Sequence, residues 1–133
     1  MALRQLFMLD TNAVRALVER NSPQLDQWFS EDRCCISAVV AAELRFGLTR
    51  RRLSPQRQQL VEELLNAIPI QPFEQNAAES YGHLRAELMQ QGITLSAMDL
   101  LIASHAIALH HTLVTADGAF SQVKALKSRH WDG

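Results

Sequence analysis

A chain of 133 residues with 47% apolar residues holds one domain's worth of core, which leaves no room for a separate cofactor module. The 20% charged fraction and the net charge of −1 exclude an intrinsically disordered chain and argue against a bulk electrostatic nucleic-acid binder. The longest apolar runs, such as Leu6–Leu9 and Ala38–Ala42, fall far short of the roughly 20 residues of a membrane span, and no signal-peptide pattern opens the chain. A single cytoplasmic domain over 1–133, with no membrane partner, is expected.

Leu6–Leu9 reads as a buried strand running straight into Asp10-Thr11-Asn12. A helix is expected over 13–20. Ser22-Pro23, an N-cap followed by proline at the first helical position, starts a second helix carrying Leu25, Trp28 and Phe29 toward a core or an interface. Cys34–Ile36 is the second strand, Ser37 caps a helix over 38–48, and Arg50-Arg51-Arg52 fall in a loop. Ser54-Pro55 repeats the start signal for a helix to about Asn66. Ile68–Ile70 is a third strand stopped by Pro72. A long helix over 74–91 ends at Gly92. Ser96 opens a helix to about His110, and Thr112–Thr115 is a fourth strand followed at once by Ala116-Asp117-Gly118. A turn and a last strand near 124–126 close the chain. Strands separated by helices imply βαβ units, hence an α/β fold with a mostly parallel sheet. The adjacent Cys34 and Cys35 point to opposite faces of a strand and are poorly placed to bridge, which fits a reducing compartment.

In such sheets ligands bind beyond the carboxyl ends of the strands, where the strand order reverses. Two predicted strands end there in an acid, Asp10 and Asp117, although a cap or turn role accounts for either one alone. Two further acids are helical. Glu43 has Val39, Val40, Phe46 and Gly47 at helical spacing, and Asp99 has Ile102, Ala103, Ala106 and Ile107. Both carboxylates therefore fall on faces expected to be buried, where they need a partner charge, a proton or a metal. Asp99 also fits a capping box with Ser96, and Glu43 has a buried ion pair with one of the 11 arginines as its alternative. Four acids gathered at one end of a sheet repel one another unless cations neutralise them. A hard divalent ion such as Mg²⁺ is the natural neutraliser, able to activate water and to stabilise an in-line phosphoryl displacement. No HExxH or i, i+4 histidine pair points to zinc, and no P-loop, GxGxxG or GxSxG points to nucleotide cofactors or a serine nucleophile. His105 is expected in helix packing.

The stretches MLDTN at 8–12, ISAVVAAELRFG at 36–47, LRAELMQQGITLSAMDLLIASHA at 84–106 and TLVTADGAF at 112–120 resemble, in this order and spacing, PIN-domain ribonucleases of the VapC type, the toxins of bacterial toxin–antitoxin pairs. The resemblance spans nearly the whole chain and implies a three-layer α/β/α sandwich. It assigns catalytic and metal-holding roles to Asp10, Glu43, Asp99 and Asp117, with Asp117 the less essential ligand because the family has Asn or Asp there. Asn12 and Thr115 match polar positions that order the site. The family pattern implies a Mg²⁺-dependent endoribonuclease, with Mn²⁺ as a substitute, that forms a homodimer and is silenced by a small cognate antitoxin. Some relatives act on tRNA, initiator tRNA included, and operator DNA is met only through the antitoxin. The SAMD segment at 96–99 departs from the commoner GxxD form. Arg50, Arg51, Arg52 and Arg85 are candidate RNA contacts, the first three equally readable as a solvated loop and Arg85 as the partner of an acid. Two rivals follow from the same residues. One is a toxin-like binding module acting mainly in an antitoxin–DNA autoregulatory complex. The other is a receiver-like signalling domain, which wants a vicinal acid pair and a late site lysine that this chain lacks.

Overall fold

The structure, a computed structural model, describes residues 4–50 and 53–132. Its elements run β1 (Phe7–Leu9), α1 (Thr11–Val18), α2 (Pro23–Ser30), β2 (Cys34–Ser37), α3 (Ala38–Arg50), α4 (Pro55–Ala67), β3 (Ile70–Gln71), α5 (Gln75–Gln90), α6 (Ala97–Leu109), β4 (Thr112–Val114) and β5 (Ser128–Arg129), with a 3₁₀ turn over Gly118–Gln122. The five strands are ordered β3-β2-β1-β4-β5, and every pairing is parallel. Phe7 lies between Cys34 and Thr112, and Leu9 pairs with Val114. Helices cover both faces of the sheet, which gives the expected three-layer α/β/α sandwich. α1 packs on α2, α3 and α4, while α5 packs on α6.

β1, β2 and β4 are buried at every position, as expected of strands covered on both faces. The chain steps leftward from β1 to β3 and then returns to the other side of β1. The strand order therefore reverses between β1 and β4, the place where open parallel sheets bind ligands.

Local signals set most helix ends. Ser22, Ser54 and Ser96 cap α2, α4 and α6 with side-chain oxygens on the amides of Leu25, Arg57 and Asp99. Gly92, at φ 70°, follows the C-cap of α5 in the left-handed conformation that glycine adopts freely.

Several boundaries differ from the sequence reading. α1 starts at Thr11 rather than at 13, because Asp10 itself caps it by accepting the Ala13 N–H at 2.8 Å. α3 continues to Arg50, so this arginine ends a helix instead of lying in a loop. β3 is only Ile70–Gln71, since Ile68 is buried as the C-cap of α4. The last strand is Ser128–Arg129 rather than 124–126, because Val123 and Leu126 turn into the core just before it. Cys34 and Cys35 are free and buried, and burial pushes both thiols up to about 12.

Candidate active site

Asp10 is the first residue beyond the central strand, and its N–H bonds to the Val114 carbonyl at 3.1 Å, tying it to the end of β4. It is 6% exposed. Burial raises its carboxyl above the ordinary value; the Thr115 hydroxyl and the Ala13 amide oppose that rise, and the charges of Asp99 and Asp117 add to it. Thr115, itself buried at the end of β4, also accepts the Asp117 N–H at 3.0 Å. One hydroxyl thus relates two of the acids.

Asp99 sits in the first turn of α6, where the Ser96 Oγ accepts its N–H at 3.2 Å. Half-burial raises its carboxyl, the Ser96 hydroxyl opposes this, and the charge of Asp117 adds to it. Asp117 is exposed and caps the 3₁₀ turn through Ala119 N–H at 2.9 Å. Asp10 therefore feels the charges of Asp99 and Asp117, and Asp99 that of Asp117, across the β1–β4 switch point.

Glu43 is half-buried on α3 and accepts the Thr11 hydroxyl at 3.1 Å, one residue from Asp10. The apolar face expected around it is only partly formed: Val40 is buried, but Phe46 is 62% exposed beneath the Arg50 guanidinium. Among the described residues Glu43 also has no arginine partner that would explain it structurally. Among the described residues none of the four acids lies within salt-bridge distance of an Arg, Lys or His; the ion pairs are Arg20–Asp26, Arg33–Glu31 and Arg57–Glu19. Nor, among the described residues, are three or more His, Cys, Asp or Glu side chains drawn close enough to enclose an ion. The donor set is carboxylate and hydroxyl oxygen, the chemistry that hard divalent cations take, and Asp10 and Asp99, both raised chiefly by burial, are the groups such a charge would relieve.

Asn12 is exposed and accepts a 3.5 Å hydrogen bond from Arg15. Arg50 is exposed at the end of α3, and Arg51 and Arg52 lie outside the described residues. Arg85 donates to the Tyr81 hydroxyl at 3.0 Å and makes no ion pair among the described residues.

One residue beneath the site does more than the expected packing. His105 on α6 is fully buried, with Nδ1 2.7 Å from the Ser37 Oγ and its ring edge-on to Phe73. Ser37 Oγ also accepts the Val39 N–H at 3.0 Å, the start of α3. His105 therefore clasps the helix of Asp99 to the strand end that launches the helix of Glu43. The pairing spans 68 residues of chain, beyond the reach of any local pattern. Burial holds the imidazole below its ordinary value of 6.5, and the neighbouring His111 charge works in the same direction. The unfolded chain therefore binds a proton near pH 6.5 that the fold excludes, so this contribution to stability declines as pH falls below that value. Thermal melts should show His105→Gln less stable than the parent by about 1–3 kcal/mol at pH 7.5, with the gap narrowing at pH 5.5; a constant gap would rule out a neutral His105 in the fold.

Comparison with known proteins agrees with the fold. Residues 7–126 match the PIN domain family. The chain is 33% identical to ribonuclease VapC2 of Rickettsia felis, covering 96% of this chain and 98% of that one. It is 28% identical to the tRNA(fMet)-specific endonuclease VapC of Shigella flexneri, over 94% and 97% of the two chains. Among solved structures it resembles VapBC2 from Rickettsia felis bound to a DNA fragment from their promoter, with a TM-score of 0.85, 32% identity and coverage of 96% and 100%. The chain belongs to the PIN-domain family and, within it, to the VapC type.

Proposed function

We propose that this protein is the toxin of a toxin–antitoxin pair and acts as a metal-dependent endoribonuclease in the cytoplasm. The observation that carries the reading is the placement of Asp10 and Asp117 just beyond the ends of the adjacent strands β1 and β4, where the charges of Asp99 and Asp117 raise the Asp10 carboxyl and no cationic side chain among the described residues offsets them. Asp10, Glu43, Asp99 and Asp117 would hold Mg²⁺, with Mn²⁺ able to substitute. A divalent ion bound there supplies an acidified water and charge neutralisation for phosphodiester hydrolysis.

The chain's own groups prepare that site. Thr115 and the Ala13 amide favour the ionised form of Asp10 against the cost of burying it. Thr11 orients Glu43. Ser96 fixes the first turn of α6 and so the direction of Asp99. Asp117, exposed and held by its own turn, is the acid most open to solvent and the one whose loss should matter least.

The relative from Shigella flexneri makes initiator tRNA the first substrate to try. A small antitoxin is the expected partner, with operator DNA reached through it, and a homodimer is the expected assembly. A cavity of about 380 Å³ between α1, α3 and α4 suits an antitoxin segment, because Val14, Val18, Leu44, Leu48 and Val61 line it and Glu43 stands at its wall. A peptide seated there would silence the enzyme by crowding one of the four acids. A purely binding role explains this cavity but not the four carboxylates, which have no cationic partner among the described residues.

Mn²⁺ titration followed by electron paramagnetic resonance tests the metal assignment without relying on activity. The antitoxin-free protein should bind the ion, Asp99→Asn and Glu43→Gln should each weaken binding about 10-fold or more, and Asp117→Asn should weaken it less. Equal binding by all four proteins would refute the assignment.

A further inference from the structure

We propose that the edge strand β5 and its flanks, residues 124–131, form the surface that receives the RNA strand, with His130 as a stacking platform for an unpaired base. This rests on the ribonuclease reading above and adds to it the place where substrate is held. From Gly118 to Trp131 the chain has no Asp or Glu, yet it carries both of its lysines, Lys124 and Lys127, together with Arg129 and His130. Lys124 and Lys127 are exposed and enter no ion pair among the described residues, whereas the Arg129 guanidinium lies over the Trp28 ring. Arg20, Arg33 and Arg57, by contrast, are all engaged with carboxylates. Basic residues interleaved with aromatic rings are the usual equipment for single-stranded nucleic acid, the cations following phosphates and the rings taking bases.

The segment is also built and aimed. β5 is the outer strand of the sheet and runs parallel to β4, so the chain beyond it leaves at the same end as Asp10 and Asp117. The Thr115 N–H donates to the Arg129 carbonyl at 3.0 Å, which puts His130 directly after a residue bonded to the partner of Asp10. The His130 ring stacks on Trp131, centroids 4.3 Å apart and planes 28° from parallel, and Trp131 packs on the core. The Asp132 N–H donates to His130 Nδ1 at 3.0 Å and fixes the ring's rotation. The result is an exposed imidazole backed by a seated indole.

Binding of bulk tRNA tests this, using Asp99→Asn protein so that the RNA stays intact. His130→Leu, which still covers Trp131 but offers no π face, should weaken binding about 5- to 100-fold. His130→Phe should restore it. Lys124→Gln with Lys127→Gln should lower the slope of log Kd against log salt by about 1–2. All three proteins should melt with the parent, since His130 and both lysines are exposed. Unchanged binding by the His130→Leu and double-lysine proteins overturns the proposal alone. Equal affinity for duplex DNA with the same sensitivity to these variants assigns the surface to DNA and also overturns it. A parent that binds no tRNA overturns the ribonuclease reading together with it.

Discussion

Asp10→Asn is expected to abolish RNA cleavage while making the metal-free protein more stable at pH 7.5. The loss of activity should be about 1,000-fold or more, since a carboxylate that holds the metal controls several kcal/mol of transition-state stabilisation. The gain in stability follows from the electrostatics. Burial, with Asp99 and Asp117 adding to it, raises the Asp10 carboxyl in the fold above its ordinary 3.8. A raised acid stabilises the fold when protonated, below pH 3.8, and that contribution is lost as pH rises through the folded value. At pH 7.5 the parent therefore holds a strained carboxylate. Asparagine keeps the oxygen that accepts the Ala13 N–H and removes the charge. Melts in EDTA should place the variant above the parent at pH 7.5 and bring the two together in acid. A variant that melts lower at neutral pH would make Asp10 chiefly a helix cap.

Phe7→Ala should cost about 3–5 kcal/mol, a large part of the 5–15 kcal/mol that holds a domain together. Phe7 is 1% exposed and stacks on Trp28 with centroids 3.9 Å apart. The Arg33 guanidinium covers its outer face at 5.0 Å, and that of Arg129 covers Trp28 at 4.8 Å. This four-layer stack joins β1, α2 and β5, so its loss would loosen the strand that delivers Asp10. Urea unfolding should show the effect as a shift in midpoint with an unchanged slope. Phe7→Leu, which keeps most of the buried volume, should cost less than half as much.

The parts of this architecture that depend on local chemistry were legible in the sequence. Serine caps, the Gly92 stop and the strand-end position of Asp10 and Asp117 need only neighbours within a few residues. Parallel pairing followed from the alternation of strands and helices, and the switch-point rule then pointed to the end of the sheet where Asp10 and Asp117 stand. Long-range contacts were not legible. Glu43 reads as a core-facing acid from its helical neighbours, yet Phe46 on that face is exposed, and the contact that orients Glu43 comes from Thr11, 32 residues away. β5 is two polar residues at an edge, with no alternation to betray it, so the sequence put the last strand on the apolar turn just before. The basic character of 124–131 was visible as residues, but its place beside Thr115 depends on a strand pairing that no local pattern encodes.

On the proposed function, the four acids form a metal-dependent ribonuclease centre. Cleavage of total tRNA by the antitoxin-free protein tests it most directly, in Mg²⁺, in Mn²⁺ and in EDTA, beside Asp99→Asn prepared identically to expose any contaminating nuclease. Discrete fragments that require both the ion and Asp99 are the predicted result. Cleavage that persists in EDTA, or that Asp99→Asn carries out as well as the parent, would contradict it.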